Sequence, residues 1–175
     1  GSAEWTPDGK SLVFSGLRME EAEYQWRESE IYRVDVADGK ITQLTSRPGP
    51  DGSPLPSPDG RHIAYVGYDM TTDTFVERKL YVMNSDGSNP RELTGELDRS
   101  PSGLIWSSDS KTIYFSARDR GTANFHAAKV AGGVKKLTSG NHLISVSSVD
   151  KSGRAVGTIT SPQHPGDIAS FTLKN

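Results

Sequence analysis

Several things are missing from this 175-residue chain, and each absence excludes a class of protein. There is no cysteine, so disulfide bonds and thiol chemistry are excluded, although this leaves a periplasmic, secreted or cytoplasmic location open. No apolar run reaches the roughly 18 residues of a membrane-spanning helix. The formal charge is only −2 and no basic stripe occurs, which argues against nucleic-acid binding. Aromatic residues make up 8%, a share that suits sheets with a polar edge better than a helical domain.

What the chain does contain is a repeated turn phrase. Residues 5–10 read Trp-Thr-Pro-Asp-Gly-Lys, residues 57–61 read Ser-Pro-Asp-Gly-Arg, and residues 106–111 read Trp-Ser-Ser-Asp-Ser-Lys. Each phrase is followed by a short apolar strand. A repeat at a period of about 50 residues indicates an array of similar supersecondary units.

A second phrase runs in step with the first. Leu-Thr pairs close each unit, and each pair follows an apolar or aromatic strand and a glycine turn. The strands lie at residues 31–34, 80–83 and 124–127. The spacing within each phrase is nearly constant while the loop between the two phrases varies, which is typical of hairpins whose insertions are confined to one side.

These patterns predict an all-β chain, a partial β-propeller over residues 1–175 with four antiparallel strands in each blade. The predicted blades cover approximately residues 1–46, 52–95, 102–139 and 142–175. The last blade is incomplete, and we expect the arc to be part of a larger ring. In this blade Lys151-Ser152-Gly153-Arg154 replaces Pro-Asp-Gly-Lys, which puts Thr158 where the first blade has Phe14. The structural repeat positions are Trp5, Asp8, Gly9, Leu44, Asp59, Gly60, Leu93, Trp106, Asp109 and Leu137.

Trp5 and Trp106 occupy the same place in two units. Repeated placement favours packing between neighbouring blades over stacking on a ligand. We therefore expect both indoles to contact an adjacent blade.

Four longer segments carry a family resemblance. Residues 53–60 lead into 63–69, residues 80–84 lead into Asp-Gly-Ser, and residues 115–121 and 161–165 complete the set. Together they resemble propellers of the TolB type and the propeller of the prolyl oligopeptidase family of serine peptidases, which includes dipeptidyl and acylaminoacyl peptidases. The resemblance implies the C-terminal half of a propeller that caps an α/β-hydrolase domain and filters or orients peptides. A free-standing TolB-like module that binds proteins is the alternative.

The catalytic part of such a peptidase is not encoded here. No Gly-x-Ser-x-Gly elbow occurs in the 175 residues, so the family's triad transfers to no residue and we expect no turnover by this chain alone. The resemblance implies two partners: the hydrolase domain of the parent chain, which would cleave through an acyl-serine, and peptide substrates. Open blade edges also predict self-association, because apolar sheet faces and unpaired strands attract further copies.

The insertion at residues 18–28 contains a candidate substrate-binding pair, Glu20 and Glu21. In dipeptidyl peptidases of this family, two glutamates on the propeller bind the free amino terminus of the substrate. Two carboxylates near one ammonium group form charge-assisted hydrogen bonds. The alternative is a solvated acidic loop.

Arginines form a second candidate group, with Arg99, Arg118 and Arg120 in predicted loops. An arginine at the mouth of a ring can hold a substrate carboxylate with two hydrogen bonds. Surface pairing of these arginines with Asp98 and Asp119 is the alternative.

No cofactor or metal is expected. The four histidines, His62, His126, His142 and His164, lack the spacing of metal ligands. Asp51, Asp69 and Asp73 lack the glycine-spaced loop of an EF-hand, so we interpret them as aspartates that stabilise turns.

Overall fold

The computed structural model describes residues 3–20, 22, 24 and 27–173, and within these ranges it contains fifteen strands and no helix. The chain divides into two compact units, Gly1–Glu92 and Leu93–Asn175. All but one of the strand pairings are antiparallel. The predicted all-β fold class is confirmed.

Unit 1 (Gly1–Glu92) consists of two four-stranded meanders. The first sheet is β1 (Ala3–Trp5), β2 (Ser11–Gly16), β3 (Glu30–Asp35) and β4 (Ile41–Gln43). The second sheet is β5 (Asp51–Pro56), β6 (His62–Gly67), β7 (Lys79–Asn84) and β8 (Arg91–Glu92). In both sheets the strands pair in chain order, as consecutive strands usually do.

Unit 2 (Leu93–Asn175) is one seven-stranded sheet. Its strands are β9 (Pro101–Trp106), β10 (Thr112–Asp119), β11 (Thr122–Lys129), β12 (Val134–Lys136), β13 (Leu143–Val149), β14 (Arg154–Ser161) and β15 (His164–Thr172). The meander β9 to β12 repeats the pattern of unit 1. The three strands that follow join it through a single parallel pair, Ala123 with Leu143.

The repeated turns have one hydrogen-bonding pattern. A hydroxyl at the first turn position donates to the aspartate two residues later at 2.6–2.7 Å, in the pairs Thr6–Asp8, Ser57–Asp59 and Ser107–Asp109. Each aspartate also accepts a bond from the backbone N–H two residues further on, at 3.1 Å. The residue after the aspartate has a left-handed backbone, with φ of 67° at Gly9, 71° at Gly60 and 58° at Ser110. These turns need an Asx-type acceptor followed by a residue that tolerates positive φ, which explains the Asp-Gly phrase.

The Leu-Thr phrase follows the outer strand of each meander. Leu44, Leu93 and Leu137 lie one residue beyond the ends of β4, β8 and β12. The threonine hydroxyl accepts a hydrogen bond from the third strand, from the Ile31 N–H to Thr45 and from the Phe125 N–H to Thr138, each at 2.9 Å. The threonine thus satisfies a backbone donor that the short outer strand leaves unpaired.

A cross-strand pair of stacked rings marks each of the first three meanders. The pairs are Phe14–Tyr32, Tyr65–Tyr81 and Phe115–His126, with ring centroids 5.2–5.7 Å apart. In unit 1, the second of these pairs packs on aliphatic side chains of the first sheet in one core, which contains Val13, Ile31, Leu44, Ile63, Tyr65, Tyr81 and Met83. Burial of apolar surface at about 25 cal/mol per Å² makes this packing the main stabilising contribution between the sheets.

The fourth turn is one residue shorter than the others. The Asp150 N–H donates to the Arg154 carbonyl, four residues away, whereas the Thr6 N–H donates to the Ser11 carbonyl, five residues away. The structural counterpart of Phe14 is therefore Gly157, which pairs with Ala169, and the expected equivalence of Thr158 with Phe14 is wrong. No ring pair exists at this position. Instead Phe171 meets Phe125 edge-on, with centroids 6.3 Å apart.

Candidate functional site

The predicted glutamate pair lies on the segment between β2 and β3. Glu20 is exposed, and Glu21 lies outside the described residues. An exposed Glu20 is accessible to a ligand, but binding of an amino terminus by these residues stays a prediction.

The three predicted arginines lie near the β10–β11 hairpin of unit 2. Arg99 donates from Nε to Asp119 at 2.8 Å and from Nη1 to Asp98 at 2.8 Å, so its guanidinium is held by two carboxylates. The hydrogen bond from Arg99 lowers the pKa of Asp119. Arg118 and Arg120 are exposed, and Arg120 has φ of 46° at the hairpin tip. Binding of a substrate carboxylate by these arginines stays a prediction.

The two repeated tryptophans differ in burial. Trp5 is 58% exposed, whereas Trp106 is 7% exposed. The expected packing of both indoles between neighbouring blades stays a prediction.

A groove of about 460 Å³ separates the first two repeated turns of unit 1. Its lining includes Asp8 and Asp59 together with Arg33 and His62. Both signs of charge are present, and much of the wall is formed by the turns themselves. The groove is a consequence of placing two similar turns side by side. Its mixed lining does not favour one class of ligand over another.

The most unusual chemistry of unit 1 is a buried ionic group beside residues 44–50, the linker between β4 and β5 that joins the two sheets. We call it the linker cluster, and its members are Glu30, Thr45, Arg47, Asp51 and Asp69. Glu30 begins β3 and Asp51 begins β5, with exposed fractions of 6% and 1%. Carboxyl groups are rarely so buried unless they are paired or protonated.

Arg47 lies at the centre of the linker cluster. Its Nη1 donates to Asp69 at 2.5 Å and its Nη2 donates to Asp51. Its guanidinium lies over the Tyr81 ring, 4.6 Å from the ring centroid, a cation–π contact. Gly67 makes room for this arrangement, because a Cβ there would lie 2.2 Å from Asp51 Oδ1 and 2.5 Å from Arg47 Nη2.

The Thr45 hydroxyl donates to Glu30 Oε2 at 2.5 Å. Its nearness also lowers the pKa of Asp51, although Asp51 Oδ2 has no hydrogen-bond partner among the described residues. Burial nevertheless raises the pKa of Glu30 to about 7, and burial raises the pKa of Asp51 against the opposing effect of Arg47. Near neutral pH the cluster therefore contains one carboxyl group, Glu30, that is close to half protonated.

The linker also anchors two long loops at one edge of unit 1. Loop A comprises residues 17–29 between β2 and β3, and loop B comprises residues 68–78 between β6 and β7. The Gly49 N–H donates to Glu28 of loop A at 3.1 Å, and the Met70 N–H of loop B donates to the Pro48 carbonyl at 3.0 Å. The linker thus holds the end of loop A next to β3 and the start of loop B.

Loops A and B carry exposed aromatic side chains. Tyr24 of loop A and Phe75 of loop B are each 77% exposed. Arg27 of loop A also reaches the Asp73 carbonyl of loop B at 3.4 Å. An edge with two adjacent loops, exposed aromatic rings and acidic side chains is suited to contact a peptide or another protein.

The sequence predicts that Asp51, Asp69 and Asp73 are aspartates that stabilise turns. Asp73 exchanges local hydrogen bonds with Thr71, and its role in a turn stays a prediction. Asp69 instead pairs with Arg47 of the linker. Asp51 does not stabilise a turn, because it is the buried first residue of β5 and is paired with Arg47, so that interpretation is wrong for Asp51. Glu30 and Arg47 were missed. No group of three or more acidic, histidine or cysteine side chains among the described residues is arranged to hold a metal ion.

Among the described ranges, no helix is long and apolar enough to cross a membrane. No family model matches the chain. The chain is 30% identical over 135 residues to dipeptidyl-peptidase 5 of Arthroderma otae, a match that covers 70% of this chain and 18% of that protein. The chain thus spans less than a fifth of the length of the curated relatives it matches.

Solved structures show the same fold. Acylaminoacyl peptidase of Pyrococcus horikoshii superposes with a TM-score of 0.74 at 19% identity, covering 99% of this chain and 27% of that one. TolB of Acinetobacter baumannii superposes with a TM-score of 0.71 at 19% identity, covering 99% of this chain and 41% of TolB.

Four-stranded antiparallel meanders, each with the same turn between its first two strands, define the chain as a β-propeller segment together with these structural neighbours. Its relatives are dipeptidyl-peptidase 5 proteins, and the resemblance to propellers of prolyl oligopeptidase family peptidases and TolB is confirmed.

Proposed function

We propose that this chain is the non-catalytic propeller portion of a prolyl-oligopeptidase-like serine peptidase. It would cap the active site of an α/β-hydrolase domain in the parent chain, filter peptides by size and orient one peptide end. The observation that carries the proposal is the 135-residue similarity to dipeptidyl-peptidase 5. The absence of a Gly-x-Ser-x-Gly elbow from these 175 residues supports a non-catalytic role for the chain itself.

The filtering role is tested on the full-length parent protein. We expect kcat/KM for a chromogenic dipeptidyl anilide to exceed that for a long unfolded peptide with the same first two residues by more than about tenfold, because a capped site restricts entry. Joint replacement of Arg118 and Arg120 by alanine should raise KM for tripeptides with a free carboxylate and leave their amides unchanged. Arg91→Ala, an exposed arginine on β8, is the control. Equal kcat/KM for short and long substrates would argue against a filter.

The 175-residue chain itself is expected to show no hydrolysis of aminoacyl or acyl-aminoacyl chromogenic substrates above background, since it encodes no nucleophile elbow. A serine-directed fluorophosphonate probe checks this independently of substrate choice. Stoichiometric labelling, located by mass spectrometry, would show that a nucleophile had been overlooked. Heat-denatured chain serves as the control for non-specific labelling.

A free-standing protein-binding module remains the second candidate, favoured by the TolB superposition over 99% of the chain. The parent gene distinguishes the two. An α/β pattern with a Gly-x-Ser-x-Gly elbow in the same reading frame supports the peptidase, and a parent without any hydrolase segment supports the binding module.

A further inference from the structure

We propose that the linker cluster is a pH-dependent latch for loops A and B, which holds both loops while Glu30 carries a proton and loosens them when Glu30 ionises. The latch lies wholly within unit 1, and it is independent of the proposed peptidase role.

The Thr45 hydroxyl has one proton for two buried carboxyl groups. Its oxygen already accepts a hydrogen bond from the Ile31 N–H at 2.9 Å. If Glu30 is protonated, its O–H donates to Thr45, and the Thr45 proton is free to point at Asp51. If Glu30 is ionised, Glu30 takes the Thr45 proton, and Asp51 Oδ2 stays buried without a hydrogen-bond donor. An unpaired buried acceptor is costly, so ionisation of Glu30 penalises the position of Asp51.

The charges around Glu30 oppose its ionisation. Five titratable or charged groups among the described residues interact directly with Glu30: Glu28 of loop A, Tyr32 of β3, Arg47 of the linker, Asp51 of β5 and Tyr65 of β6. Asp69 of loop B acts on Glu30 only through its bond to Arg47. Arg47 is the one cation among them, and it is already bound to Asp51 and Asp69. Burial and two neighbouring carboxylates therefore outweigh its attraction.

The same residues hold the loops. The Asp51 N–H donates to the Ser29 carbonyl of loop A at 2.7 Å, and the Ser29 hydroxyl donates back to the Asp51 carbonyl at 3.1 Å. On the other side, Arg47 binds Asp69 of loop B. A displacement of Asp51 or Arg47 is thus transmitted to both loops through direct hydrogen bonds.

The sign follows from the pKa of Glu30, which the fold raises from 4.5 to about 7. Because the folded state binds this proton more tightly than the unfolded state, the contribution of Glu30 is fully present below the unfolded value and is lost as the pH rises through about 7. The loops are therefore held more firmly at pH 6 than at pH 8.

The test is hydrogen exchange of the 175-residue chain, read at the Gly49, Asp51 and Met70 amides that tie linker to loops. Between about pH 6 and 8 we expect their protection, after correction for the intrinsic exchange rate, to fall about tenfold. In Glu30→Gln, which keeps a neutral donor at this site, protection should not change with pH. Glu92→Gln on β8, an exposed glutamate, should behave like the unmodified chain. An equal fall in Glu30→Gln, or no fall in the unmodified chain, would overturn the proposal.

A second measurement does not depend on how Glu30→Gln folds. The carboxyl carbon of Glu30 in the unmodified chain should titrate by NMR with a midpoint near 7, the value set by its burial. A midpoint near the ordinary 4.5 would overturn the latch, whatever the exchange data show.

Discussion

Replacing Arg47 by methionine is expected to lower the free energy of unfolding of the chain by about 3–5 kcal/mol, because it leaves the buried carboxylate of Asp51 without its cation. Asp51 is 1% exposed and cannot turn to water, so the loss is not screened as at the surface. Methionine keeps an unbranched apolar side chain beside Tyr81, which limits the loss of packing. Urea denaturation followed by circular dichroism measures the effect.

Two controls separate charge pairing from packing in this experiment. Arg33→Met removes a partly buried arginine that donates a long, 3.4 Å hydrogen bond to the Ser85 carbonyl, and it should cost less than about 1 kcal/mol. Adding Asp51→Asn to Arg47→Met should recover part of the loss, because the unpaired charge is removed. A loss below about 1 kcal/mol for Arg47→Met would mean that the pair is not the main stabilising contact of the linker.

Gly157→Ala is expected to be the most damaging single-methyl change in unit 2, lowering the free energy of unfolding by about 3 kcal/mol. A Cβ at Gly157 would lie 2.0 Å from the Ser145 carbonyl oxygen and 2.8 Å from Val146 Cα, both backbone atoms of β13. The strand cannot move aside as a flexible side chain could, so β13 and β14 must separate.

The matched control for Gly157→Ala is Gly16→Ala. Gly16 also lies in a strand, and a Cβ there would meet only Phe14 side-chain atoms, the nearest at 3.8 Å. This variant should be neutral or more stable by up to about 1 kcal/mol, since alanine restricts the unfolded chain. Equal effects of the two substitutions would contradict the steric account.

The repeat made most of the fold predictable. The Asp-Gly phrase and the Leu-Thr phrase each have a local cause, since Asp8 holds its own turn and Thr45 satisfies a strand N–H nearby. Because these interactions lie within one turn or one hairpin, the residues they require recur in every repeat. The sequence therefore predicts the strands and their order. The shorter fourth turn is not evident from the sequence, because Asp150 alone accepts the backbone hydrogen bonds that Thr6 and Asp8 share in the first turn.

The linker cluster could not be read in the same way. Arg47 meets Asp69, which is 22 residues away, because β5 and β6 pair with Asp51 opposite Gly67 and so bring the start of one strand beside the end of the other. Glu30 looks like an ordinary polar residue at the start of a strand, and its burial depends on Thr45 and Asp51 arriving from elsewhere. The signal that could have found the cluster is Gly67, an unexplained glycine at the end of an apolar strand, which marks close approach by another group. The amine and carboxylate sites, the blade boundaries and self-association stay predictions.

The shortened turn before β14 bears on how freely the units can be exchanged. The first three meanders share turn length and ring-pair position, so a segment cut from one has its side chains in the right alternation to replace the same segment in another. In the fourth meander the turn is one residue shorter, which shifts that alternation by one position. A segment placed there by aligning its turn residues would therefore point its apolar side chains at solvent and its polar side chains at Phe125. The first three meanders thus share one alternation of side chains and the fourth has another, so a segment transferred into the fourth would have to be shortened by one turn residue to keep its apolar side chains inside.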